Sequence, residues 1–570
     1  MPTAAAVMLQ TLAELGVSYL FANFGSDHPA ILEALAEARA KGWKVPSVIT
    51  CPNEMVALSA AHGHALVSGR AQAVLVHVDC GTQALGGAVH NAARARVPVL
   101  ILAGASPFTQ HGELPGSRNE FIHWIQDVFD QRGLVRGYTR YENEIRTGRN
   151  IGEMFRRALQ FAESDPKGPV YLMIPREVLE EEVPSSAARS PAAPAIAPIA
   201  LAPASVEMLG QALRSARMPL VVTSYLGRSA AAVRELERLA RRLGLGVLES
   251  VPHCLNFSAD DPLYQGSQWN EQSQNEALAA ADVVLVIDAD VPWIPLVNQP
   301  RKEARIYHID IDPLKERMPL FGIGADQVFR ADAATALAQI NAWLNSQSID
   351  ENIVAARKTF WQTRHKSRLA ELERREQGNG DRITGEILTA ALRRYVDAET
   401  IILNEGITHN QIITDHLKLT RPGSCFANGG SSLGWHGGAA IGIKLAAPEK
   451  TVIALTGDGS YMFSQPATVH WMARQYGTPF LQVIYNNRGW RAPKLSALAI
   501  HPSGYASRAN TLAVEFDPPP DYGAIAAAAG GAFARKVISR AALDEAIAAA
   551  LHAVRVEKRA AVLDIWLPHL

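Results

Sequence analysis

The stretch that most constrains this chain is Gly457-Asp458-Gly459-Ser460, taken together with Asn486-Asn487 further on. Ahead of the first runs Thr451-Val452-Ile453-Ala454-Leu455, short, apolar and rich in β-branched residues, which reads as a buried strand. Gly-Asp-Gly turns the chain, residues Gln465 to Tyr476 carry a helical pattern, and Pro479 to Tyr485 reads as a second strand ending at the asparagines. A strand, helix, strand succession makes a parallel pair, so a carboxylate at the carboxyl end of one strand sits beside an amide at the end of the next, where open α/β sheets take ligands. Asp458 supplies charge, Asn487 a neutral oxygen, and the glycines let backbone approach a diphosphate closely. Such a donor set suits Mg²⁺, which is held by few protein oxygens plus phosphate oxygens. An Asp between glycines also reads as an ordinary turn, and it is the strand ending in Asn-Asn that gives the site reading its weight.

The rest of the chain falls into similar units. Apolar strands are expected at Val17 to Phe24, Ser47 to Cys51, Ala73 to Val78, Pro98 to Ala103 and Pro169 to Ile174, with helical stretches between them, the pattern of a parallel sheet covered on both faces. A segment rich in Pro, Ala and Ser follows and reads as a linker over 184–205. A second α/β unit spans 206–345, with strands at Pro219 to Thr223, Val283 to Asp288 and Arg305 to Asp312; a charged, helix-favouring connector covers 346–380, and a third α/β unit occupies 381–570. The expected fold is therefore three doubly wound parallel-sheet α/β domains, the first covering 1–183.

At 570 residues there is ample core for three domains. A formal net charge of -1 with no long basic run leaves no nucleic-acid footprint. Cys51, Cys80, Cys254 and Cys425 lack pairing or metal-ligand spacing, which suits a reducing cytoplasm. No apolar run reaches membrane-spanning length, and no charged segment followed by an apolar core opens the chain.

The pairing of Asp458 with Asn487 resembles the thiamine diphosphate signature, and three α/β units joined by two linkers are similar to the pyruvate oxidase and acetolactate synthase branch of thiamine diphosphate enzymes. The resemblance implies a pyrimidine-binding domain, a central domain and a diphosphate-binding domain, in that order. It also implies Mg²⁺ held by Asp458, Asn487 and the carbonyl of Gly489, with Gly457, Gly459 and Ser460 beside the diphosphate. Thr408, in Asn404-Glu405-Gly406-Ile407-Thr408, is a further diphosphate contact at an expected helix start, equally readable as a plain N-cap.

Such enzymes need a carboxyl group against the aminopyrimidine ring, to favour the imino tautomer that deprotonates the thiazolium carbon. Asn53-Glu54-Met55-Val56-Ala57-Leu58-Ser59-Ala60-Ala61-His62-Gly63 resembles the family's Glu-x-x-Ala-x-x-x-Ala-x-Gly pattern and assigns the role to Glu54; without that likeness Glu54 is a favourable acid in a first helical turn. In Asn428-Gly429-Gly430-Ser431-Ser432-Leu433-Gly434-Trp435-His436-Gly437-Gly438 the resemblance places Leu433 under the bend of the cofactor, with Ser431 beside it. Gly438 stands where relatives usually carry Pro, which leaves the helix start less constrained.

On the substrate side, Ser26 and His77 match a substrate-contacting serine and a catalytic histidine of benzoylformate decarboxylase. A neutral-range pKa suits His77 to proton transfer, whereas a histidine at a strand end is more often structural. That enzyme's second catalytic histidine has no counterpart in Asp290 to Leu296, and the double histidine of pyruvate decarboxylases is absent, although His111 lies in a comparable loop. Ile125-Gln126-Asp127 is similar to the Gln-bearing loop of acetolactate synthases and lyases, so Gln126 is a second candidate for substrate contact. Trp124, Trp435 and Trp490 are candidate pocket walls or core. The segment from Gly489 to Pro520, without strong periodicity, corresponds to a closing lid, with Arg491, Lys494, His501 and Arg508 as candidate anion contacts or a solvated face.

The resemblance implies decarboxylation of a 2-oxo acid, as in benzoylformate decarboxylase, or carboligation to a 2-oxo acid or acyloin partner, as in acetolactate synthase and lyases. A non-catalytic relative that binds the cofactor for regulation is the remaining alternative; such a protein has no need of Glu54. Active sites shared between two subunits imply a homodimer, paired into a homotetramer. No glycine fingerprint assigns FAD or a nucleotide to the central domain.

Overall fold

Among the described residues eighteen strands form, most of them short runs of β-branched and aliphatic residues too brief for a helix and bounded by Gly, Pro or polar residues. The computed structural model describes residues 1–188, 193–378, 380–509 and 512–569, so part of the expected 184–205 linker and of the connector and lid segments lies outside the described residues. The strands form three six-stranded sheets, every pairing within them parallel. The first contains β1 (Tyr19–Ala22), β2 (Ser47–Thr50), β3 (Gln72–Val76), β4 (Val99–Ala105), β5 (Tyr141–Glu144) and β6 (Pro169–Pro175), in the order 2-1-3-4-6-5. The second contains β7 (Pro219–Thr223), β8 (Gly246–Ser250), β9 (Tyr264–Gln268), β10 (Val283–Ile287), β11 (Arg305–Asp310) and β12 (Gln327–Arg330), in the order 12-11-10-7-8-9. The third contains β13 (Thr400–Glu405), β14 (Cys425–Phe426), β15 (Thr451–Gly457), β16 (Leu481–Asn486), β17 (Phe533–Val537) and β18 (Ala561–Trp566), in the order 14-13-15-16-18-17.

The third sheet repeats the topology of the first, strand for strand, and the second does not. The strand order changes direction between β1 and β3, between β7 and β10, and between β13 and β15, and the first and third sheets turn back again at their β6–β5 and β18–β17 edges. Loops leave in opposite directions at each of the first three places and open a crevice beyond the carboxyl ends of the strands. The loops that flank the first and third crevices carry Ser26 and His77, and Thr408 and Asp458.

Two helices join the outer sheets. Glu54–Ser68 packs along Trp435–Ala446, and their apolar faces share one continuous core with β1, β3, β4, β13 and β15. The crossing is close enough that backbone meets backbone: a Cβ on Gly442 would lie 1.8 Å from the Ala60 carbonyl oxygen, and one on Gly438 would lie 2.7 Å from both Ser59 Cβ and the Val56 carbonyl oxygen. Gly438 is thus needed for the approach of the two helices, a tertiary demand that the sequence context alone did not disclose.

The charged 346–380 stretch is largely one helix, Glu351–Gln377, capped by Asp350. It lies against the central sheet through buried Trp361 and through Arg357, whose guanidinium donates to the Leu243 and Arg214 carbonyls at 2.8 and 2.7 Å. The segment expected to lack periodicity also contains helix: Arg491–Ile500 and Tyr505–Ala509, neither with a buried residue. Because no face of either helix packs on a core, neither leaves the apolar stripe that sequence reading depends on.

Candidate active site

The first crevice holds a linear array of side chains. β3 ends at Val76, and His77 follows it with its ring between two oxygens: Nδ1 lies 2.6 Å from Asp27 Oδ1 and Nε2 lies 2.7 Å from Gln126 Oε1. Asp27, on the loop after β1, is fully buried and also accepts the Val78 N–H at 3.2 Å, with His28 Nε2 at 3.2 Å. Burial alone would raise the Asp27 pKa, but His28, His77 and the Val78 N–H together hold it below the ordinary carboxylate value. The hydrogen bond to Asp27 is the largest influence on His77 and raises its pKa, against partial burial. His28 goes the other way, because burial outweighs its attraction to Asp27 and lowers its pKa. The raised pKa favours the protonated ring of His77, and acceptors at both ring nitrogens suit that form. If the Gln126 amide turns over, it presents N–H to the deprotonated ring, so the same contact serves both states.

The array is tightly fitted. A Cβ on Gly25 would fall 2.1 Å from His77 Nδ1, and Val78 has a φ of +26°, a conformation β-branched residues rarely adopt. Gln126 is fixed from behind by Ser106, whose hydroxyl donates to its carbonyl. The Ser26 hydroxyl is buried without a partner among the described residues, as a group awaiting a ligand would be.

Glu54 is the first residue of its helix, capped by Asn53, whose side chain accepts the Val56 N–H at 3.1 Å. A Cβ on Gly81 would stand 3.5 Å from Glu54 Oε1, which places the carboxylate beside the Val78–Ala84 helix that begins just after His77. Cys80, exposed on that helix, lies within the influence of Asp79, Gln126 and Glu54; burial and Asp79 raise its pKa. The structure thus brings Ser26, Glu54, His77 and Gln126 to one side of the first sheet. It adds Asp27 and Cys80, which sequence reasoning missed. A carboxylate between Gly-Ser and His was the available signal for Asp27; nothing in the sequence marked Cys80.

The third crevice holds the second group. Asp458 opens a short helix, Asp458–Phe463, directly after β15; its Oδ1 accepts the Gly459 N–H at 2.7 Å and its Oδ2 the Gly489 N–H at 2.9 Å. Burial pushes its pKa up to about 6, in spite of these N–H donors. The Asn487 amide turns one terminal atom to within 2.8 Å of the Gly489 carbonyl oxygen and 3.3 Å of Asp458 Oδ2. With the amide nitrogen there the three groups satisfy one another; with the amide oxygen there, three oxygens converge on one point, the donor set of a hard cation that completes its shell from phosphate and water. Arg488, between Asn487 and Gly489, is held at a φ of +61°. Among the described residues no cluster of three or more His, Cys, Asp or Glu could hold a metal, so Asp458 and its neutral neighbours form the metal candidate.

Thr408 lies in a single 3₁₀ turn, Ile407–His409, ahead of the helix Asn410–Leu417, rather than at that helix's first residue. The preceding Ile407 has a φ of +49°, a second strained β-branched residue at a crevice. Leu433 is half-buried at the entrance of the Trp435–Ala446 helix. Ser431 is exposed and lines a cavity with Trp269, Trp293 and Asn298 of the central domain. The Ser460 hydroxyl donates to Glu405 at 2.6 Å. Trp435 is core, whereas Trp124 and Trp490 are 48% and 40% exposed. Trp490 packs over Gly459, edge-on to Phe516, and so ties the start of the 489–520 segment to the Gly-Asp-Gly turn. Arg491 lies close to buried His409, whose pKa burial lowers to about 4 with help from that charge.

Within one chain, among the described residues, no hydrogen bond joins the Glu54 group to the Asp458 group. At the central crevice Arg96 pairs with Asp290 at 2.7 Å and stacks on Tyr225, while Lys315 pairs with Asp290 and Asp310 at 2.8 and 2.6 Å.

Comparison with known proteins agrees with this architecture. Residues 2–134 match the N-terminal TPP binding domain of thiamine pyrophosphate enzymes, 206–337 the central domain and 406–565 the C-terminal TPP binding domain. A sulfoacetaldehyde acetyltransferase of Castellaniella defragrans is 24% identical over 86% of this chain and 82% of its own length. A probable acetolactate synthase large subunit of Methanocaldococcus jannaschii is 25% identical over 76% and 73%. Among solved structures, the thiamine diphosphate-dependent 4-hydroxybenzoylformate decarboxylase of Rhodococcus jostii RHA1 superposes with a TM-score of 0.78 at 20% identity, covering 100% of this chain and 99% of that one, a likeness of fold.

Proposed function

We propose, from the premise that this chain belongs to the thiamine pyrophosphate enzyme family, that it decarboxylates a 2-oxo acid with the help of Mg²⁺ and releases an aldehyde, as benzoylformate decarboxylases do. When bound, thiamine diphosphate supplies an electron-accepting carbon for breaking or making a C–C bond next to a carbonyl. Asp458, Asn487 and the Gly489 carbonyl would hold Mg²⁺ and through it the diphosphate; Thr408 and Ser460 border that end, Leu433 the middle and Glu54 the pyrimidine. The converging oxygens around Asp458 fit a metal, and the half-buried Glu54 beside Gly81 fits a group that must meet a ring nitrogen.

The Asp27–His77–Gln126 array carries the choice of decarboxylation. Release of an aldehyde needs a proton at the carbon left by CO₂, and His77, backed by a buried carboxylate, would give one from Nε2. Ser26 would donate to a substrate oxygen in the same crevice. A second reading, transfer of the two-carbon fragment to an acceptor, is favoured by Gln126 and by relatives described as an acetyltransferase and an acetolactate synthase. Glu54 stands at the first crevice and Asp458 at the third, which supports a site completed by a second copy, and the exposed Phe108, Phe121, Ile125 and Phe129 near Gln126 supply an apolar face for it. We infer a homodimer with shared sites, paired into a tetramer, built from domains bounded near 183, 206, 345 and 381.

Incubation with benzoylformate, pyruvate and longer 2-oxo acids, with Mg²⁺ and thiamine diphosphate, with and without an acceptor aldehyde, tests the reading. Aldehyde formed without acceptor supports decarboxylation; product only with acceptor, or no CO₂ from any 2-oxo acid, overturns it.

A further inference from the structure

Beneath the third crevice lies a cluster of buried polar side chains of which only Ser460 has a role above. The Glu405 carboxylate, at the end of β13 and 1% exposed, receives four donors. Its Oε1 accepts the Gly434 N–H at 2.5 Å and the Ser460 hydroxyl at 2.6 Å; its Oε2 accepts the His436 N–H at 2.8 Å and lies 2.7 Å from His436 Nδ1. His436 Nε2 in turn lies 2.5 Å from Gln482 Nε2, and Gln482 Oε1 lies 3.1 Å from His470 Nε2. With the Gln482 amide nitrogen turned to His436, as its atoms are placed, one direction of donation runs through every contact. His470 donates to Gln482, Gln482 donates to His436, and His436 donates from Nδ1 to Glu405, so the fourfold acceptor ends the chain. His470 Nδ1 has no partner among the described residues, and in this direction it carries no proton to donate.

The positions matter more than the bonds. Gly434 and His436 flank the start of the helix that follows Leu433; Ser460 belongs to the turn that follows Asp458; Glu405 is three residues ahead of Thr408; and Gln482 sits on β16, whose end leads to Asn487. We propose that Glu405 is a positioning residue: a single buried carboxylate fixes the Leu433 turn against the Ser460 turn, and through His436 and Gln482 against the Asn487 strand. The support under the cofactor's bend is thereby set in register with the groups at its diphosphate. Binding needs the diphosphate end alone, whereas activation of the thiazolium carbon needs the bend. Glu405 therefore governs activation more than affinity. This rests on the reading of Leu433, Asp458 and Asn487 given above.

The test compares wild type, Glu405→Gln and Gln482→Met, each full length with Mg²⁺. Three quantities are measured: the thiamine diphosphate Kd by calorimetry, the hydrogen–deuterium exchange rate of the thiazolium carbon proton by acid quench and NMR, and the melting temperature. The Gln amide in Glu405→Gln turns N–H toward donors that need an acceptor. Exchange is expected to slow at least about a hundredfold while Kd rises less than about tenfold. Gln482→Met, which leaves Glu405 in place and cuts only the link to β16, should slow exchange by an intermediate factor. It carries the test if Glu405→Gln does not fold. Exchange within threefold of wild type in a folded variant overturns the proposal, as does a loss of exchange no larger than the loss of affinity. Should wild type itself fail to bind the cofactor, it is the reading of the site that falls.

Discussion

Replacing Asp27 by Asn tests the proposed proton donor at the centre of the first crevice. The substitution keeps size and one acceptor but removes the charge that His77 Nδ1 meets at 2.6 Å. A hydrogen bond to a charged partner contributes about 1.5–3 kcal/mol. At about 1.4 kcal/mol per tenfold change in proton affinity, the His77 pKa should fall by about one to two pH units. His77 is expected to act as the protonated donor, so the limb of kcat/KM that descends as pH rises should move down by that amount. Nitrogen NMR of histidine-labelled protein, with His77 identified by its loss in His77→Gln, reads the same shift without turnover. The folded pKa of His77 lies above its ordinary 6.5. Its contribution to stability is therefore fully present below 6.5 and is lost as pH rises through the folded pKa. The melting deficit of Asp27→Asn should accordingly be largest at mildly acidic pH and should narrow in alkaline buffer. A His77 titration that does not move, or a deficit that grows with pH, would refute the reasoning.

Three further outcomes follow from named contacts. Glu54→Gln should lower turnover by at least about a hundredfold while the cofactor Kd changes by less than about tenfold, since general acid–base groups contribute 10²–10⁴; equal losses in both would contradict its assignment. Wild type stripped with a chelator should gain about 2.7 kcal/mol when Mg²⁺ and thiamine diphosphate are supplied at a hundredfold excess over Kd; Asp458→Ala should show no such gain in a thermal melt, and a wild-type-sized gain would remove Asp458 from the metal site. Gly442→Ala should lower the melting temperature, because its methyl meets the Ala60 carbonyl oxygen at 1.8 Å and such overpacking costs about 1–3 kcal/mol; an unchanged melt would show that the two helices can part.

Much of the strand framework is legible in the chain. β1 lies inside the expected Val17 to Phe24, β15 extends Thr451 to Leu455 by two residues, and β16 falls within the expected strand but for its last residue, Asn486. Period and β-branching are local signals, and these strands are buried on both faces, so their apolar runs are unbroken. β5, with Tyr141-Glu142-Asn143-Glu144, gives no such run because it is an edge strand and only half-buried. Asp458 and Asn487 could be paired in advance because a strand, a turn and a helix fix their spacing. Asp27 could not be joined to His77, since that contact spans two strands whose adjacency the sequence does not state.

Local chain chemistry dictates most of the buried strands and amphipathic helices, where glycine turns follow them, and which carboxylates and amides stand at strand ends. What those groups face is settled only when the sheets assemble. Assembly sets the strand order that places a crevice between β1 and β3 and another between β13 and β15, the helix crossing that requires Gly438 and Gly442, and the gathering of four donors onto Glu405. The first set depends on neighbours within a turn or two of helix. The second depends on contacts between residues tens to hundreds of positions apart, whose geometry exists only once the sheets have formed.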